Sequence, residues 1–161
     1  MSRTTPATEP TIMPLDPTHA TVCEEIGRAL PDWFGIEEGL LDLRHAAVTQ
    51  SGFVATVADE VIGFLALEQR FPESWEITWM AVHPDQHRRG VGRMLIDAAL
   101  DACRASDVSF LLIKTLADTH PSPEYAQTRA FYERMGFARL QMFPDLWGPD
   151  NPCLMLCRVV N

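Results

Sequence analysis

The middle of the chain carries a short turn whose residue types suit the binding of an anion. Residues 87–93 read His-Arg-Arg-Gly-Val-Gly-Arg, with three arginines, two glycines and no acidic side chain. The turn leads from a strand-like run into a helix-like run. The first turn of a helix leaves backbone N–H groups unpaired at the positive end of its dipole. This pattern favours a phosphate or pyrophosphate site, although an ordinary glycine turn with solvated arginines has the same composition.

The spacing within this turn excludes two familiar phosphate loops. A P-loop needs Gly-Lys followed by Ser or Thr, and the sequence contains no such tripeptide. A dinucleotide-binding fingerprint needs a third glycine where Leu95 stands. The sequence therefore predicts an anion-binding turn of another kind, between a strand and a helix.

The spacing of apolar residues predicts the elements that hold this turn. Helical periodicity covers 18–30, 36–48, 90–105 and 125–135. Runs rich in β-branched and aromatic residues predict strands at 12–15, 53–58, 61–69, 75–82, 109–116, 137–143 and 153–160, with a turn at Asp59-Glu60. Strands joined through a helix run parallel, so we expect 75–82 and 110–116 to form a parallel pair in an α/β fold.

Length and composition limit the classes of protein to which the chain can belong. Its 161 residues allow one domain, which we place at 11–161 behind a flexible N-terminal arm at 1–10. The net charge of −9 disfavours nucleic acid and anionic membrane surfaces as partners. The polar first ten residues predict no signal peptide, and no run approaches the ~20 apolar residues of a membrane span. We therefore expect a cytoplasmic protein.

The four cysteines predict reduced thiols and no metal site. No Cys-x-x-Cys pair is present, and a disulfide framework is typical of short, cysteine-dense secreted chains. Cys153 and Cys157 lie four positions apart, but no matching pair of His or Cys ligands accompanies them.

Two runs of the sequence are similar to the motifs of a known family. The run VHPDQHRRGVGRML, with His87, Gly90 and Gly92 on the fixed positions, resembles the acyl-CoA-binding motif [QR]-x-x-G-x-[GA] of the GNAT superfamily of N-acetyltransferases. His87 departs from the usual Gln or Arg. The run RAFYERMGF at 129–137 is similar to the signature A-x-x-F-Y-x-x-x-G-F of the family's last helix, with Thr128 in place of the alanine. The order of predicted elements also agrees with the family's, over roughly residues 11–160.

This resemblance implies a fold and a cosubstrate. The fold is a mixed, mostly antiparallel sheet of six to seven strands, whose central parallel pair splays in a V, flanked by about four helices. Acetyl-CoA would lie in the V, with its pantetheine arm along strand 75–82 as an added strand. A backbone N–H near Met80 or Ala81 would polarise the thioester carbonyl. The implied cofactor-binding residues are Met80, Ala81, Val82, His87, Arg88, Arg89, Gly90, Val91, Gly92 and Arg93.

The resemblance also implies two catalytic side chains. Tyr132 matches the family's tyrosine and, with an ordinary pKa of about 10, could protonate the leaving thiolate. Alternatively, it is a packed aromatic beside Phe131. Glu76 lies fourteen positions before Gly90, as the base glutamate does in the histone-acetyltransferase branch, and burial would make it a stronger base acting through water. The alternatives are a half-exposed strand glutamate at this position, or Glu73 as the base.

We therefore expect an N-acetyltransferase that transfers an acetyl group from acetyl-CoA to a primary amine by direct attack in a ternary complex. The amine belongs to a small molecule, a peptide or a protein. The alternative is a non-catalytic acyl-CoA-binding regulatory module. In the family, the segments that carry Trp33, Phe34 and Trp147 shape the acceptor site or a dimer contact, and a homodimer is left open. His120 could border the acceptor pocket, and each of these residues can also be purely structural.

Overall fold

Seven strands form one mixed sheet in the computed structural model, which describes residues 8–161. The strands are β1 (Thr11–Pro14), β2 (Ser51–Val57), β3 (Glu60–Phe71), β4 (Ser74–Val82), β5 (Phe110–Leu116), β6 (Ala138–Phe143) and β7 (Cys153–Val159). The helices are α1 (Ala20–Arg28), α2 (Glu37–Thr49), α3 (Val91–Ala105) and α4 (Pro123–Arg134). Most of the predicted arm at 1–10 lies outside the described residues.

The topology confirms the predicted fold class. The strand order is β1-β2-β3-β4-β5-β7-β6. The chain passes from β4 through helix α3 to β5, and these two strands pair in parallel. The remaining neighbours in this order are antiparallel. Seven strands, four helices and a central parallel pair agree with the arrangement expected from the sequence.

Several element boundaries differ from the predictions by a few residues, and two of the differences have clear local reasons. The β2–β3 turn consists of Ala58 and Asp59, one position earlier than expected, and both have positive φ, at 49° and 66°. Positive φ at both central residues is the geometry of a two-residue type I′ turn. Helix α4 begins at Pro123, before the apolar periodicity, because the Ser122 hydroxyl accepts the Tyr125 N–H at 3.2 Å and proline suits the first helical position.

Each face of the sheet has its own apolar core. Helices α3 and α4 cover one face, which we call the α3/α4 face, where Leu95, Ile77 and Leu111 are buried together with Tyr132. Helices α1 and α2 cover the α1/α2 face, where Ile26, Leu43 and Phe64 are buried. Alternation along a strand sends successive side chains to opposite faces. Neighbouring positions of β4 and β5 therefore serve different sides of the molecule.

The parallel pair separates halfway along its length. Pairing between β4 and β5 ends at Ile77 and Ile113, although β4 continues to Val82 and β5 to Leu116. Thr78 is an extra residue against β3, because Ala66 pairs with Trp79 and Leu67 with Ile77. A bulge of this kind bends its strand. We call the space between 78–82 of β4 and 114–116 of β5 the V-gap.

Candidate active site

The loop between β4 and α3 presents a row of unused backbone donors at one end of the V-gap. Within residues 8–161, the six N–H groups from Arg88 to Arg93 have no hydrogen-bond acceptor, and the first helical bond runs from Met94 to Gly90 at 3.1 Å. Arg88 and Gly90 adopt positive φ, at 62° and 79°. The Arg88, Arg89 and Arg93 side chains are exposed. Unpaired donors, a helix N-terminus and positive side chains together suit a pyrophosphate.

His87 closes this loop against the end of β4. Its ring Nε2 lies 2.7 Å from the Val82 carbonyl oxygen, so the imidazole holds the loop to the strand. Val91 is buried and packs in the core of the α3/α4 face, which leaves only its backbone N–H for a ligand. The residues from His87 to Arg93 are thus brought together, with His87 and Val91 as anchors of the loop.

The unpaired edge of β4 offers its own donors to the V-gap. The His83 N–H donates to the Ile62 carbonyl of β3 at 2.8 Å. Backbone direction alternates along a strand, so the Ala81 N–H also points to β3, whereas those of Met80 and Val82 point into the gap. Of the two N–H groups predicted to polarise a carbonyl, the Met80 group therefore has the required direction.

Tyr132 lies on α4 with its hydroxyl directed at β4. The side chain is buried between Phe131 and Phe137, and its hydroxyl lies 3.7 Å from the Met80 sulfur. A thioether is a weak acceptor, so the hydroxyl has no strong partner competing for it. Burial raises the pKa of Tyr132, with Tyr125 adding to the effect. The phenol therefore stays protonated at neutral pH and can donate a proton or a hydrogen bond.

Gly92 allows the start of α3 to pack closely against Phe131 and Met80, which lie beside Tyr132. A Cβ at this position would lie 3.0 Å from the Phe131 ring and 3.3 Å from the Met80 methyl group. The absence of a side chain at this second glycine of the motif therefore serves the packing of α3, in addition to its position in the anion loop. It lets the start of α3 approach the side chains that line the V-gap.

Glu76 is buried on the opposite face, inside an ion-pair cluster. Its Oε1 lies 2.9 Å from the Lys114 ammonium and its Oε2 lies 2.5 Å from the Arg70 guanidinium. The Glu76 side chain is 5% exposed, against 26% for Lys114 and 38% for Arg70. The carboxylate is thus buried rather than half-exposed, and both of its oxygens are engaged by cations. No sequence motif indicates this cluster, although Lys114 is the chain's one lysine and lies within the predicted parallel pair.

The loop between α1 and α2 crosses the end of the V-gap and joins both sides of the site. The Trp33 indole N–H donates to the Thr128 hydroxyl at 3.0 Å, and the Tyr125 hydroxyl donates to the Trp33 carbonyl at 2.8 Å. The Trp33 ring also meets the His87 ring edge-on, with centroids 6.1 Å apart. We call this connection of Trp33 to α4 and to His87 the strap.

Comparison with known proteins identifies the family. A family model described as an acetyltransferase (GNAT) domain matches residues 49–139, which is more than half of the chain. The chain belongs to the GNAT acetyltransferase family. No curated protein sequence matches it at a significant level.

Several solved structures share the fold of this GNAT domain at low sequence identity. A GNAT-family protein from Desulfovibrio desulfuricans superposes with a TM-score of 0.82 at 18% identity, covering 95% of this chain and 100% of that one. The ribosomal-protein-S18-alanine N-acetyltransferase from Escherichia coli gives 0.75 at 18% identity, covering 95% of each chain. An aminoglycoside 6′-N-acetyltransferase complexed with coenzyme A gives 0.71 at 15% identity, covering 94% of this chain and 97% of that one.

Two other residues singled out from the sequence, His120 and Trp147, lie in loops. His120 accepts the Ser122 N–H at 3.2 Å within the β5–α4 loop and borders a groove that includes Asp145 and Asp150. Trp147 is 43% exposed in the β6–β7 loop. In the part of the GNAT domain that is described, no cluster of three His, Cys, Asp or Glu side chains could hold a metal ion. No helix there is long and apolar enough to cross a membrane.

Proposed function

We propose that this GNAT domain transfers an acetyl group from acetyl-CoA to a primary amine by direct attack in a ternary complex. The observation that carries the proposal is the V-gap itself. One end holds six unpaired backbone N–H groups, from Arg88 to Arg93. Its wall holds the buried, protonated Tyr132 hydroxyl. A bound anion and a developing thiolate are the two charges that these groups would stabilise.

The residues of the anion loop and of β4 fit the parts of acetyl-CoA. The loop N–H groups and the Arg88, Arg89 and Arg93 side chains would hold the pyrophosphate. The unpaired edge of β4 at Met80 and Val82 would pair with the amides of the pantetheine arm. Acetyl-CoA supplies an activated acetyl group as a thioester. No metal is assigned a part.

Three groups of the chain have separate tasks in the proposed reaction. The Met80 N–H donates a hydrogen bond to the substrate carbonyl oxygen as negative charge develops there. The Tyr132 hydroxyl donates a proton to the leaving sulfur. Glu76 accepts the proton of the attacking amine through water. The cysteines have no part, since burial raises the pKa of each of the four thiols.

The α1/α2 face of the V-gap is the side from which we expect the acceptor to arrive. Glu76 lies on that face, opposite to the face that carries Tyr132 and Met80. The structural neighbours include acetyltransferases of aminoglycosides and of a ribosomal-protein alanine. They support an amine acceptor, and we propose that it belongs to a small molecule or to a peptide or protein.

A non-catalytic acyl-CoA-binding module is a second candidate, and the ion-pair cluster favours it. A general base needs a lone pair that faces the proton, and each Glu76 oxygen already contacts a cation. A regulatory module would keep the anion loop and the V-gap while leaving Glu76 as a purely structural group. The two candidates agree on acetyl-CoA binding and differ on turnover.

We propose that residues 11–161 form one catalytic domain. We also propose a cytoplasmic location, because all four cysteines are free, as is usual in reducing compartments. A homodimer stays a prediction.

The deciding experiment separates binding from turnover. Acetyl-CoA at 100 times its Kd should stabilise the protein by about 2.7 kcal/mol and raise the Tm accordingly. Release of the CoA thiol should then be measured with a panel of aminoglycosides, polyamines, amino acids and peptides. An acceptor-dependent release supports the transferase. Binding without release for any amine supports the regulatory module, and no Tm shift at millimolar acetyl-CoA contradicts both.

A further inference from the structure

Lys114, the chain's one lysine, holds its ammonium group against the residue proposed as the general base. The Lys114 Nζ lies 2.9 Å from the Glu76 Oε1. A general base must lie within hydrogen-bond reach of the proton that it removes, directly or through one water. The Lys114 ammonium therefore stands, relative to Glu76, where the proposed reaction places the amine acceptor.

Lys114 lies at the vertex of the V-gap, on the face from which we expect the acceptor to arrive. Pairing of β4 with β5 ends at Ile77 and Ile113, so Lys114 is the first residue of β5 beyond the paired stretch. Side chains alternate along β5, and Ile113 is buried in the core of the α3/α4 face, so the Lys114 side chain lies on the α1/α2 face. It is 26% exposed, against 5% for Glu76, so the amine is accessible from that side.

The expected place of the thioester carbonyl is close to this amine along the strands. The Met80 N–H, which we assign to the carbonyl oxygen, lies three positions beyond Ile77, whereas Lys114 lies one position beyond Ile113. The difference of two residues corresponds to about 7 Å along a strand. A lysine side chain has a flexible four-carbon stem of comparable length. The Nζ can therefore turn from Glu76 towards the thioester without a change in the sheet.

We propose that Lys114 is an amine acceptor of this GNAT domain, so that the protein acetylates itself at this residue. The inference rests on the proposed function and deepens it by naming one acceptor. The Nζ attacks the thioester carbonyl carbon, the amide C–N bond forms and the C–S bond breaks. The ammonium loses two protons: Glu76 takes the first across their contact, and the second leaves as the amide forms. The sulfur takes one proton from Tyr132, which water restores, so one proton is released overall.

Acetylation of Lys114 would change the surroundings of Glu76. An acetylated lysine carries no charge, so the ion pair at Oε1 is lost while the contact of Oε2 with Arg70 stays. The Oε1 lone pair would then be free to take a proton from a further amine. Removing one partner of a buried ion pair destabilises the fold. We therefore expect the acetylated protein to have a lower Tm than the unmodified protein.

The test incubates the purified chain with acetyl-CoA and no added amine, and maps the acetyl groups by peptide mass spectrometry. Because the chain has one lysine, the N-terminal amino group is its only other primary amine, and the two lie on different peptides. We expect one acetyl group on Lys114, formed with a first-order rate constant that does not change with protein concentration. After removal of the CoA, thermal denaturation should show the lower Tm.

Two variants provide the controls. Lys114→Arg keeps a positive charge beside Glu76 but has no amine that can lose its proton, so it should fold and take up no acetyl group at this position. Tyr132→Phe keeps Lys114 and should be acetylated there about 10²-fold more slowly, since the leaving sulfur lacks its acid. Adding Lys114→Arg to Tyr132→Phe should not speed this reaction, because the transfer is internal.

The outcomes separate this proposal from the proposed function. A wild type that binds acetyl-CoA and leaves Lys114 unmodified would overturn the internal acceptor, whereas CoA release with an added amine would still support the transferase. Equal rates of Lys114 acetylation in the wild type and in Tyr132→Phe would also overturn it, because the reaction would then be uncatalysed. A rate constant that rises with protein concentration would show transfer between molecules and contradict the proposal. A wild type that does not bind acetyl-CoA overturns both proposals.

Discussion

Single residues of β4, β5 and α4 differ in whether their polar side-chain atoms have hydrogen-bond or ion-pair partners in the folded chain. The Tyr132 hydroxyl has only a sulfur as partner, at 3.7 Å, and the Thr115 hydroxyl has none among residues 8–161. Glu76, by contrast, is fully engaged by Lys114 and Arg70. The α3/α4 face thus carries two buried hydroxyls without a strong hydrogen-bond partner, whereas the carboxylate on the α1/α2 face contacts two cations.

Replacing Tyr132 by phenylalanine tests its part as the acid. Tyr132→Phe should lower kcat by about 10²-fold or more, while the Kd for acetyl-CoA changes little. The Tm should hardly change, because the hydroxyl contacts only the Met80 sulfur. Burial holds the pKa of Tyr132 above its usual value, so the wild-type rate should show no loss from this group below pH 10.

The chain's other tyrosine is the matched control for stability. Tyr125→Phe removes a 2.8 Å hydrogen bond to the Trp33 carbonyl and should cost about 1 kcal/mol of unfolding free energy. Steady-state kinetics and thermal denaturation of the two variants provide the comparison. Unchanged turnover in Tyr132→Phe would remove the tyrosine from the mechanism.

Replacing Glu76 by glutamine tests whether its ion pairs leave it free to act as a base. If it accepts the amine proton, Glu76→Gln should lower kcat by about 10²-fold or more and change the pH dependence of the rate. Steady-state kinetics of the wild type and of Glu76→Gln measure both effects.

Glu68 is the control for loss of charge in the same cluster. It lies 3.1 Å from Arg70 but is 45% exposed, so Glu68→Gln should leave the pH–rate profile in place. Profiles that are identical in the wild type and in Glu76→Gln would assign Glu76 a structural role only.

At the scale of elements, β4 and the start of α3 together create the site. The bulge at Thr78 occurs where β4 leaves β5, and the freed edge carries Met80 and Val82. The strand is followed by the loop that starts α3, so the strand donors and the loop donors lie on successive segments of the chain. Backbone N–H groups supply these donors, and the His87 ring holds the loop to the end of β4.

A valine at Gly90 tests the backbone requirement of this loop. Gly90 has φ of +79°, and a Cβ there would meet no atom within 4 Å, so Gly90→Val adds strain of about 1–2 kcal/mol without a clash in the free protein. We expect a lower Tm and, because the Cβ would intrude on a bound pyrophosphate, much weaker CoA binding.

Gly148, in the β6–β7 loop, offers the matched control, with φ of +87° and equally open surroundings. Gly148→Val should lower the Tm to a similar extent and leave the Kd for CoA unchanged. Tight CoA binding by Gly90→Val would rule out the loop as the anion site.

At the scale of the whole molecule, the acidic net charge and the basic loop have separate places. The chain carries a net charge of −9, yet Arg88, Arg89 and Arg93 form no ion pair with the residues described. The other arginines are often paired with carboxylates: Arg28, Arg44, Arg70, Arg104 and Arg139. Uncompensated positive charge therefore collects at the start of α3, where an anionic cosubstrate would bind.

The strap connects the α1–α2 loop to α4 and to the basic loop at the start of α3. Trp33 joins the α1–α2 loop to α4 and to His87 of the anion loop. Phe34 packs on Trp79 of β4, with ring centroids 5.9 Å apart. The α1–α2 loop thus packs against α4, β4 and the anion loop, which are the elements that would hold the cofactor. Ligands on the two faces of the sheet would therefore both lie beside the contacts of this loop.

The sequence by itself determined the elements, the parallel pair and the turn rich in glycine and arginine that leads from β4 into α3 of this GNAT domain. These features rest on local information, because periodicity, turn residues and the start of a helix are decided within a few positions of the chain. The one-residue shift of the β2–β3 turn had no such signal, since Ala58 is an unusual residue for positive φ.

The tertiary structure decided what surrounds each candidate group. It placed Lys114 and Arg70 on Glu76, turned the Met80 N–H rather than that of Ala81 into the V-gap, and left the Thr115 hydroxyl unpaired. It also brought Trp33 to residues more than 90 positions away. Such contacts depend on strand register and on packing between distant segments, which no local pattern of residues specifies.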